Sequence, residues 1–385
     1  MTFLSAREAA DLLGITPATL YAYVSRGVLP VEKGGDGRHS RYPREAVMAL
    51  KARRDQPRGA DEAARTSLQF GRPVAESAIT LIENGRLYYR GRDIQTLAAT
   101  ATLEDVAALI WGQRLTAPAD AIPDLPADLP FMERAHALLA FAAGADLRAF
   151  DLSPPGVART GSRILRLVAA AAGAIKGSPL DPVHRRLARA WGLDDDAADL
   201  LRAALVVCAD HEFNPSTFTV RVVASTGATP YGAVQAGLAA LSGPRHGGIT
   251  LRVDALLDEI GDRDANEVLA ARLRRGDDVP GFGHPLYPEN DPRAQYLLSR
   301  LAADTRAARS LAVAEAGRAL TGLPPTIDFA LVALARTLGL PPGAPLALFT
   351  IGRVTGWIGH VIEQYASPAL FRPRASYTGP RPVSA

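Results

Sequence analysis

Cysteine is almost absent from this chain: Cys208 is the only one in 385 residues. That excludes an internal disulfide and fits a reducing compartment. Long apolar runs are missing too. The longest candidate, Leu167 to Ile175, lies between Arg166 and Lys176 and falls far short of the roughly 20 residues that a membrane helix needs. The N-terminus shows no basic segment followed by an apolar stretch and a cleavage site. Secretion is therefore not expected, nor a membrane, and the cytoplasm is the expected location. Strictly alternating strand patterns are scarce and no internal repeat is visible, so neither an all-β nor a solenoid architecture is expected.

What is present is a soluble globular balance, 48% apolar and 22% charged residues, on a chain long enough for two or three domains. Its charge is uneven. Residues 1–58 hold ten Lys or Arg and six Asp or Glu, 10 − 6 = +4, against +3 for the whole chain. The remainder carries −1, so the N-terminal piece is where a polyanion would be met. Ser5 and Glu8 form a capping box opening a helix through Leu13, which Gly14 ends. Thr16 and Pro17 open a second helix about three residues on, and Gly27 suits its end. Gly34, Gly35, Asp36 and Gly37 then make a turn between two extended pieces, and a third helix starts near Pro43 and runs to Arg54.

With the motif SAREAADLLGITPATLYAYVSRGVLP, residues 3–54 resemble the winged helix-turn-helix domains of the MerR and excisionase type. If this domain contacts DNA, Thr19, Tyr21 and Tyr23 on the second helix and Arg38 or Arg41 on the wing are the candidates. The other reading, a protein-contact or regulatory module, stays open, because +4 is a slight electrostatic footprint. Residues 55–65, polar with Pro57 and Gly59, read as a linker.

Beyond the linker the pattern is helical. Apolar residues recur at three- and four-residue steps in 97–111, 134–143, 164–174 and 200–208, and a short hairpin is expected at 78–89 with Asn84-Gly85 as its turn. Small residues crowd 232–240, which suits close helix packing within the chain or between subunits.

Three histidines stand out. His211 lies in Ala-Asp-His-Glu-Phe-Asn, His246 in Gly-Pro-Arg-His-Gly-Gly, and His284 in Val-Pro-Gly-Phe-Gly-His-Pro. The last two sit among glycines, where backbone can approach a ligand closely. No pair of acceptable metal ligands shows the tight spacing of a helical zinc site, Cys208 has no second thiol nearby, and no nucleophile-elbow pattern appears. No metal site is expected.

At larger scale, DHEFNPSTFTVRVVASTGATPYGAVQAGLAALSGPRHGG, VPGFGHPLYPENDPRA, TIDF, IGRVTGWIGHVIEQ and RPRASYTG follow one another in the order and spacing of citrate synthases. The resemblance covers about residues 66–380. It implies a mainly α fold, with a winged helix-turn-helix domain (1–58) before a large helical domain (59–249 and 336–385) interrupted by a small one (250–335). It also implies an acyltransferase that condenses acetyl-CoA with oxaloacetate to citrate and CoA. No cofactor is expected, the coenzyme A thioester being a substrate.

Condensation requires removal of a weakly acidic methyl proton, so a base and an enol-stabilising donor must act together. By resemblance Asp328 is the base, His246 hydrogen-bonds the thioester oxygen, and His284 polarises and protonates the oxaloacetate carbonyl. His211, Arg293, Arg353 and Arg372 bind oxaloacetate, whose two carboxylates suit guanidinium forks. The position of Arg372 is donated across a dimer interface in the family, which implies a homodimer, whereas Arg374 reads as a surface charge.

Three departures bear on coenzyme A binding and the choice of acyl chain. Ile249-Thr250 replaces the usual Ala-Asn, Thr326-Ile327 the usual Asn-Val, and Pro288 a frequent basic residue. Two alternatives remain: a 2-methylcitrate synthase using propionyl-CoA, and a DNA-binding regulator whose synthase-like body senses a metabolite.

Overall fold

A computed structural model of the chain describes residues 3–25, 28–33, 40–55, 75–116, 122–126, 128–178, 181–375 and 377–380. The chain divides into two compact units, residues 1–76 and 77–385. Among the described residues no helix is long and apolar enough to cross a membrane.

The first unit holds β1 (Phe3–Leu4), α1 (Ala6–Leu13), α2 (Pro17–Ser25), β2 (Glu32–Lys33), β3 (Ser40–Pro43) and α3 (Arg44–Asp55). At the start of α1 the Glu8 N–H donates to Ser5 Oγ at 3.3 Å and the Ser5 N–H donates to Glu8 at 2.8 Å, the reciprocal pairing that the capping box requires. The Thr19 N–H donates to Thr16 Oγ1 at 3.3 Å, which opens α2 at Pro17. β3 is the middle strand of an antiparallel sheet ordered β1-β3-β2, with Glu32 opposite Arg41. The two-residue β1 was not legible in the sequence. Leu4, Leu13, Leu20, Leu29, Tyr42 and Val47 close a small core beneath this sheet. Gly27, the glycine tip 34–37, Arg38 and residues 56–65 of the expected linker lie outside the described residues.

The second unit opens with an antiparallel sheet of β4 (Thr80–Glu83), β5 (Arg86–Tyr89) and β6 (Arg92–Asp93). Asn84 and Gly85, at φ 52° and 71°, form the expected two-residue turn, whose twist matches the strands it joins. Helices follow: α4 (Ile94–Thr100), α5 (Leu103–Trp111), α6 (Phe131–Ala145), α7 (Pro154–Ala171), α8 (Val183–Ala190), α9 (Asp195–Val207), α10 (Pro215–Ala224) and α11 (Pro230–Leu241). Then come α12 (Ile249–Ile260), α13 (Ala265–Arg274), α14 (Pro292–Leu301), α15 (Ala308–Thr321), α16 (Ile327–Leu338) and α17 (Ala344–Tyr365). The fold is mainly α, as expected.

α17 is the axis of this unit, buried on all sides along most of its length and mainly apolar apart from residues such as Arg353 and His360. Its glycines let other backbone approach. A Cβ on Gly352 would stand 2.6 Å from the carbonyl oxygen of Leu205, and one on Gly356 would overlap Ala209 and Asp210. The segment that follows α9 is thereby pressed against α17, and the Gly356 N–H donates to the Ala209 carbonyl at 2.9 Å. The small residues of α11 serve the same purpose within the chain, since a Cβ on Gly237 would press on Val220 and Trp357.

Candidate active site

The close approach at Gly352 and Gly356 delivers His211, the residue after Asp210, beside Arg353 of α17. Arg353 is 1% exposed. Its Nε donates to the Cys208 carbonyl at 3.0 Å, while Nη1 and Nη2 are buried without a hydrogen-bond partner. A buried guanidinium with two orphaned nitrogens is costly unless something returns to pair with them. A carboxylate is the natural complement.

Arg353 Cζ lies 4.8 Å from the Phe349 ring centroid, and the His246 ring stands edge-on to the same phenyl at 6.0 Å. His246 sits in the turn between α11 and α12, and its Nε2 is 2.8 Å from Ser216 Oγ. Burial, then Arg353, pushes His246 down to about 3, so it is neutral near pH 7.

His284 reaches the same region through a short backbone pairing. The Thr326 N–H donates to the Gly281 carbonyl at 2.8 Å, and the Gly283 N–H to the Pro324 carbonyl at 2.8 Å. This antiparallel contact lays the His284 loop beside the N-terminus of α16, where Asp328 occupies the first turn. The rings of His211, His284 and Tyr287 form a cluster, with centroids 5.2 Å (His211–His284), 5.5 Å (His211–Tyr287) and 5.3 Å (His284–Tyr287) apart. His211 Nε2 is 3.0 Å from the Tyr287 hydroxyl. Burial, then Arg293, lowers His284 to about 4, and burial with Arg293, His284 and Arg353 holds His211 well below its usual value. Because the Leu286 N–H donates to His284 Nδ1 at 3.2 Å, the ring proton of neutral His284 belongs on Nε2. His284 is thus prepared as a donor.

Arg293 is held from its own helix. Its Nε and Nη2 donate to the two oxygens of Asp291, the N-cap of α14, at 2.9 Å and 2.8 Å. Asp291 also accepts the Ile327 N–H at 3.1 Å, which ties α14 to the start of α16. Burial disfavours the Asp291 charge, but Arg293 outweighs it and holds the carboxyl below its ordinary value. Asp328 behaves oppositely. Burial pushes it up to about 6, Arg293 pulls back and Asp291 adds to the rise, while Thr326 Oγ1 approaches it at 3.4 Å. A carboxylate poised near neutrality, in the first turn of the helix whose start pairs with the His284 loop, has the profile of a proton-transfer site.

The structure thus brings together His211, His246, His284, Arg293, Asp328 and Arg353. Arg372 stands apart from them within the chain. It is exposed in the extended segment after α17, where its Nη1 donates to the Pro373 carbonyl at 3.3 Å. Tyr287, Asp291, Phe349 and Ser216 were not singled out in the sequence, although an Asp before Pro at a helix start is an N-cap signal that could have found Asp291. Of the departures, Thr250 is buried with Oγ1 donating to the Gly247 carbonyl at 2.9 Å, Thr326 touches Asp328, and Pro288 is exposed.

In the N-terminal unit Tyr21 is 54% exposed and Arg41 is exposed. Thr19 is partly buried and its hydroxyl is engaged with that of Thr16 at 2.9 Å. Tyr23 packs against the small core. The three α2 candidates therefore do not share one outward face: Thr19 and Tyr23 lie one turn apart, and Tyr21 points elsewhere, as the helical period demands.

Residues 69–374 match the family model described as citrate synthase, C-terminal domain, and residues 3–55 match a helix-turn-helix domain. Citrate synthase 2 of Bacillus subtilis is 29% identical over 351 residues, 79% of this chain and 93% of that protein. A 2-methylcitrate synthase of Shewanella oneidensis is 29% identical over 373 residues, 81% of this chain and 94% of that protein. Among solved structures, the citrate synthase of Thermoplasma acidophilum in ternary complex with carboxymethyl coenzyme A and oxaloacetate superposes with a TM-score of 0.68. It is 25% identical and covers 81% of this chain and 95% of that one.

Proposed function

This chain belongs to the citrate synthase family, and from that premise we propose that it condenses acetyl-CoA with oxaloacetate to give citrate and free coenzyme A. The observation that carries the reading is Asp328, a carboxylate pushed up to about 6, grouped with two neutral histidines and two buried guanidiniums. In its ionised form Asp328 removes a methyl proton from the thioester, while a ring N–H of His246 stabilises the enol oxygen. The enol carbon attacks the oxaloacetate carbonyl, which His284 polarises and protonates from Nε2. Water then cleaves the thioester of the condensed product.

His211, Arg293 and Arg353 hold the oxaloacetate, and the two unpaired nitrogens of Arg353 offer a fork to one carboxylate. Arg372, exposed and outside this group, supports a homodimer in which it serves the neighbouring subunit's site. Residues 250–335 are assigned to a smaller helical domain that closes over the substrates. The match of the Shewanella relative supports a second reading, condensation of propionyl-CoA, because one methylene alters discrimination by only about 1–3 kcal/mol. The helix-turn-helix match supports a further regulatory reading, in which the N-terminal unit contacts DNA.

Steady-state rates with oxaloacetate and either acetyl-CoA or propionyl-CoA test the proposal. A higher kcat/KM for acetyl-CoA supports citrate formation, the reverse supports 2-methylcitrate formation, and no turnover with either leaves the sensing role.

A further inference from the structure

Arg353, Gly356 and His360 follow one another at three- and four-residue steps along one face of α17. The Asp210 carboxylate lies on the bare middle position, where a Cβ on Gly356 would stand 2.3 Å from its Oδ1. It therefore has a guanidinium one turn to one side and an imidazole one turn to the other, and all three groups are buried.

Asp210 takes the imidazole. His360 Nε2 is 3.3 Å from Asp210 Oδ2 and 3.2 Å from Oδ1, and a carboxylate only accepts, so the ring proton sits on Nε2. The Thr80 hydroxyl of β4 donates to the same Oδ2 at 2.5 Å. Oδ1 makes no hydrogen bond, and neither do Arg353 Nη1 and Nη2. An orphaned acceptor and two orphaned donors in a dry interior gain by closing on each other. The backbone here is pinned, since the Asp210 N–H donates to the Tyr89 hydroxyl at 3.2 Å and the Gly356 N–H to the Ala209 carbonyl at 2.9 Å. Only rotation of the Asp210 side chain is left to bring the pair together. Burial opposes the Asp210 charge, but His360, Arg353 and Thr80 hold the carboxyl below its ordinary value, so it stays an anion. The other acid facing His360 is Glu363, 3.9 Å from Nδ1. It is engaged elsewhere, accepting from Arg221 Nη1 at 3.1 Å and from the Ala78 N–H at 3.0 Å.

We propose that His360 is a positioning residue that, together with Thr80, holds the Asp210 carboxylate on Gly356 and off the fork of Arg353. The free site then keeps a guanidinium that is balanced across a gap by Asp210 and still open to a substrate carboxylate. With Asp210 swung onto the fork, an incoming carboxylate has to break an internal ion pair before it binds. His360 touches no reacting atom and acts only through Asp210. The inference rests on the oxaloacetate contact given to Arg353 above.

The test compares wild type with His360→Leu, which removes the imidazole donor, and with His360→Leu/Asp210→Asn, which also removes the carboxylate charge. Calorimetric titration with oxaloacetate near pH 7 should show affinity about tenfold or more lower in His360→Leu. The double variant should regain most of that loss, because no anion remains to occupy the fork. His360→Gln, whose amide donates in place of Nε2, should fall much less than His360→Leu. Crystal structures of the ligand-free proteins read the same event directly. Asp210 Oδ1 should lie within hydrogen-bond distance of an Arg353 Nη nitrogen in His360→Leu and apart from both in wild type. Unchanged affinity in His360→Leu, a double variant that binds no better than the single one, or a carboxylate still seated on Gly356 in His360→Leu overturns the proposal. If His360→Leu does not fold, Thr80→Val, which removes only the hydroxyl tether, takes its place in both measurements. If wild type does not bind oxaloacetate, the functional reading fails separately, and the ligand-free crystal structures still decide the position of Asp210.

Discussion

Arg353 Nε donates to the carbonyl of Cys208 at 3.0 Å and its two terminal nitrogens have no partner, so a buried cation is anchored at one corner and left open at the fork. The anchor explains how the guanidinium keeps its direction without a carboxylate of its own. Replacing it by Arg353→Gln removes the fork and the charge. Charge-assisted hydrogen bonds contribute about 1.5–3 kcal/mol, so KM for oxaloacetate should rise roughly 10- to 150-fold. Steady-state titration of oxaloacetate at saturating acyl-CoA measures this, and an unchanged KM would remove Arg353 from the substrate contacts.

Asp328 makes two linked predictions about pH. Its carboxyl is pushed up to about 6, and the base must be ionised, so kcat/KM should fall about tenfold per unit below pH 6. A profile that stays flat down to pH 5 would exclude Asp328 as the titrating base.

Stability should run the other way. Unfolding returns Asp328 to the ordinary aspartate value of 3.8, so between about 4 and 6 the unfolded state binds fewer protons and stability declines as pH rises. The penalty is absent below the unfolded value and complete above the folded one. Asp328→Asn should therefore stabilise the protein at pH 7 by about 1–3 kcal/mol, allowing for the partial exposure of the side chain, and add little at pH 4. Denaturant midpoints at the two pH values measure it. Equal gains at both would assign the effect to packing.

Arg372 is exposed and outside the site of its own chain. Subunits carrying Asp328→Asn mixed with subunits carrying Arg372→Gln should regain part of the activity, because one site of each hybrid dimer holds both groups. Failure to complement, with subunit exchange demonstrated, assigns Arg372 no role across an interface.

The N-terminal unit has its own core, and every group assigned to chemistry lies in residues 77–385. A shortened chain beginning at Asp61 should fold and turn over oxaloacetate with acetyl-CoA. Full-length protein, but not the shortened chain, should bind duplex DNA from near its own gene, with an affinity that falls as salt rises. Inactivity of the well-folded short chain would mean that the N-terminal unit shapes the active site.

Much of this was legible in the sequence because local chemistry dictates it. Ser5 with Glu8, Thr16 with Pro17, and Asn84-Gly85 each specify their element within a few residues, and all three appear where the residues place them. The histidines among glycines pointed to the loops that converge. Contacts between distant segments were not legible. Nothing near Ile327 announces that its N–H is bound by Asp291, thirty-six residues earlier. Nor do Tyr287 and Phe349 signal that they pack among the histidines, since aromatic residues in helical proteins are usually core. On α2, Tyr21 alone of the three candidates is exposed, because the helical period turns Thr19 and Tyr23 another way.

The measurement closest to the central claim is the release of coenzyme A thiol when purified protein meets oxaloacetate and acetyl-CoA or propionyl-CoA, run with wild type and Asp328→Asn side by side. The account predicts oxaloacetate-dependent release by the wild type and its collapse, by three orders of magnitude or thereabouts (~10³), in Asp328→Asn, with oxaloacetate binding retained. Release by Asp328→Asn at a rate near that of wild type would contradict it.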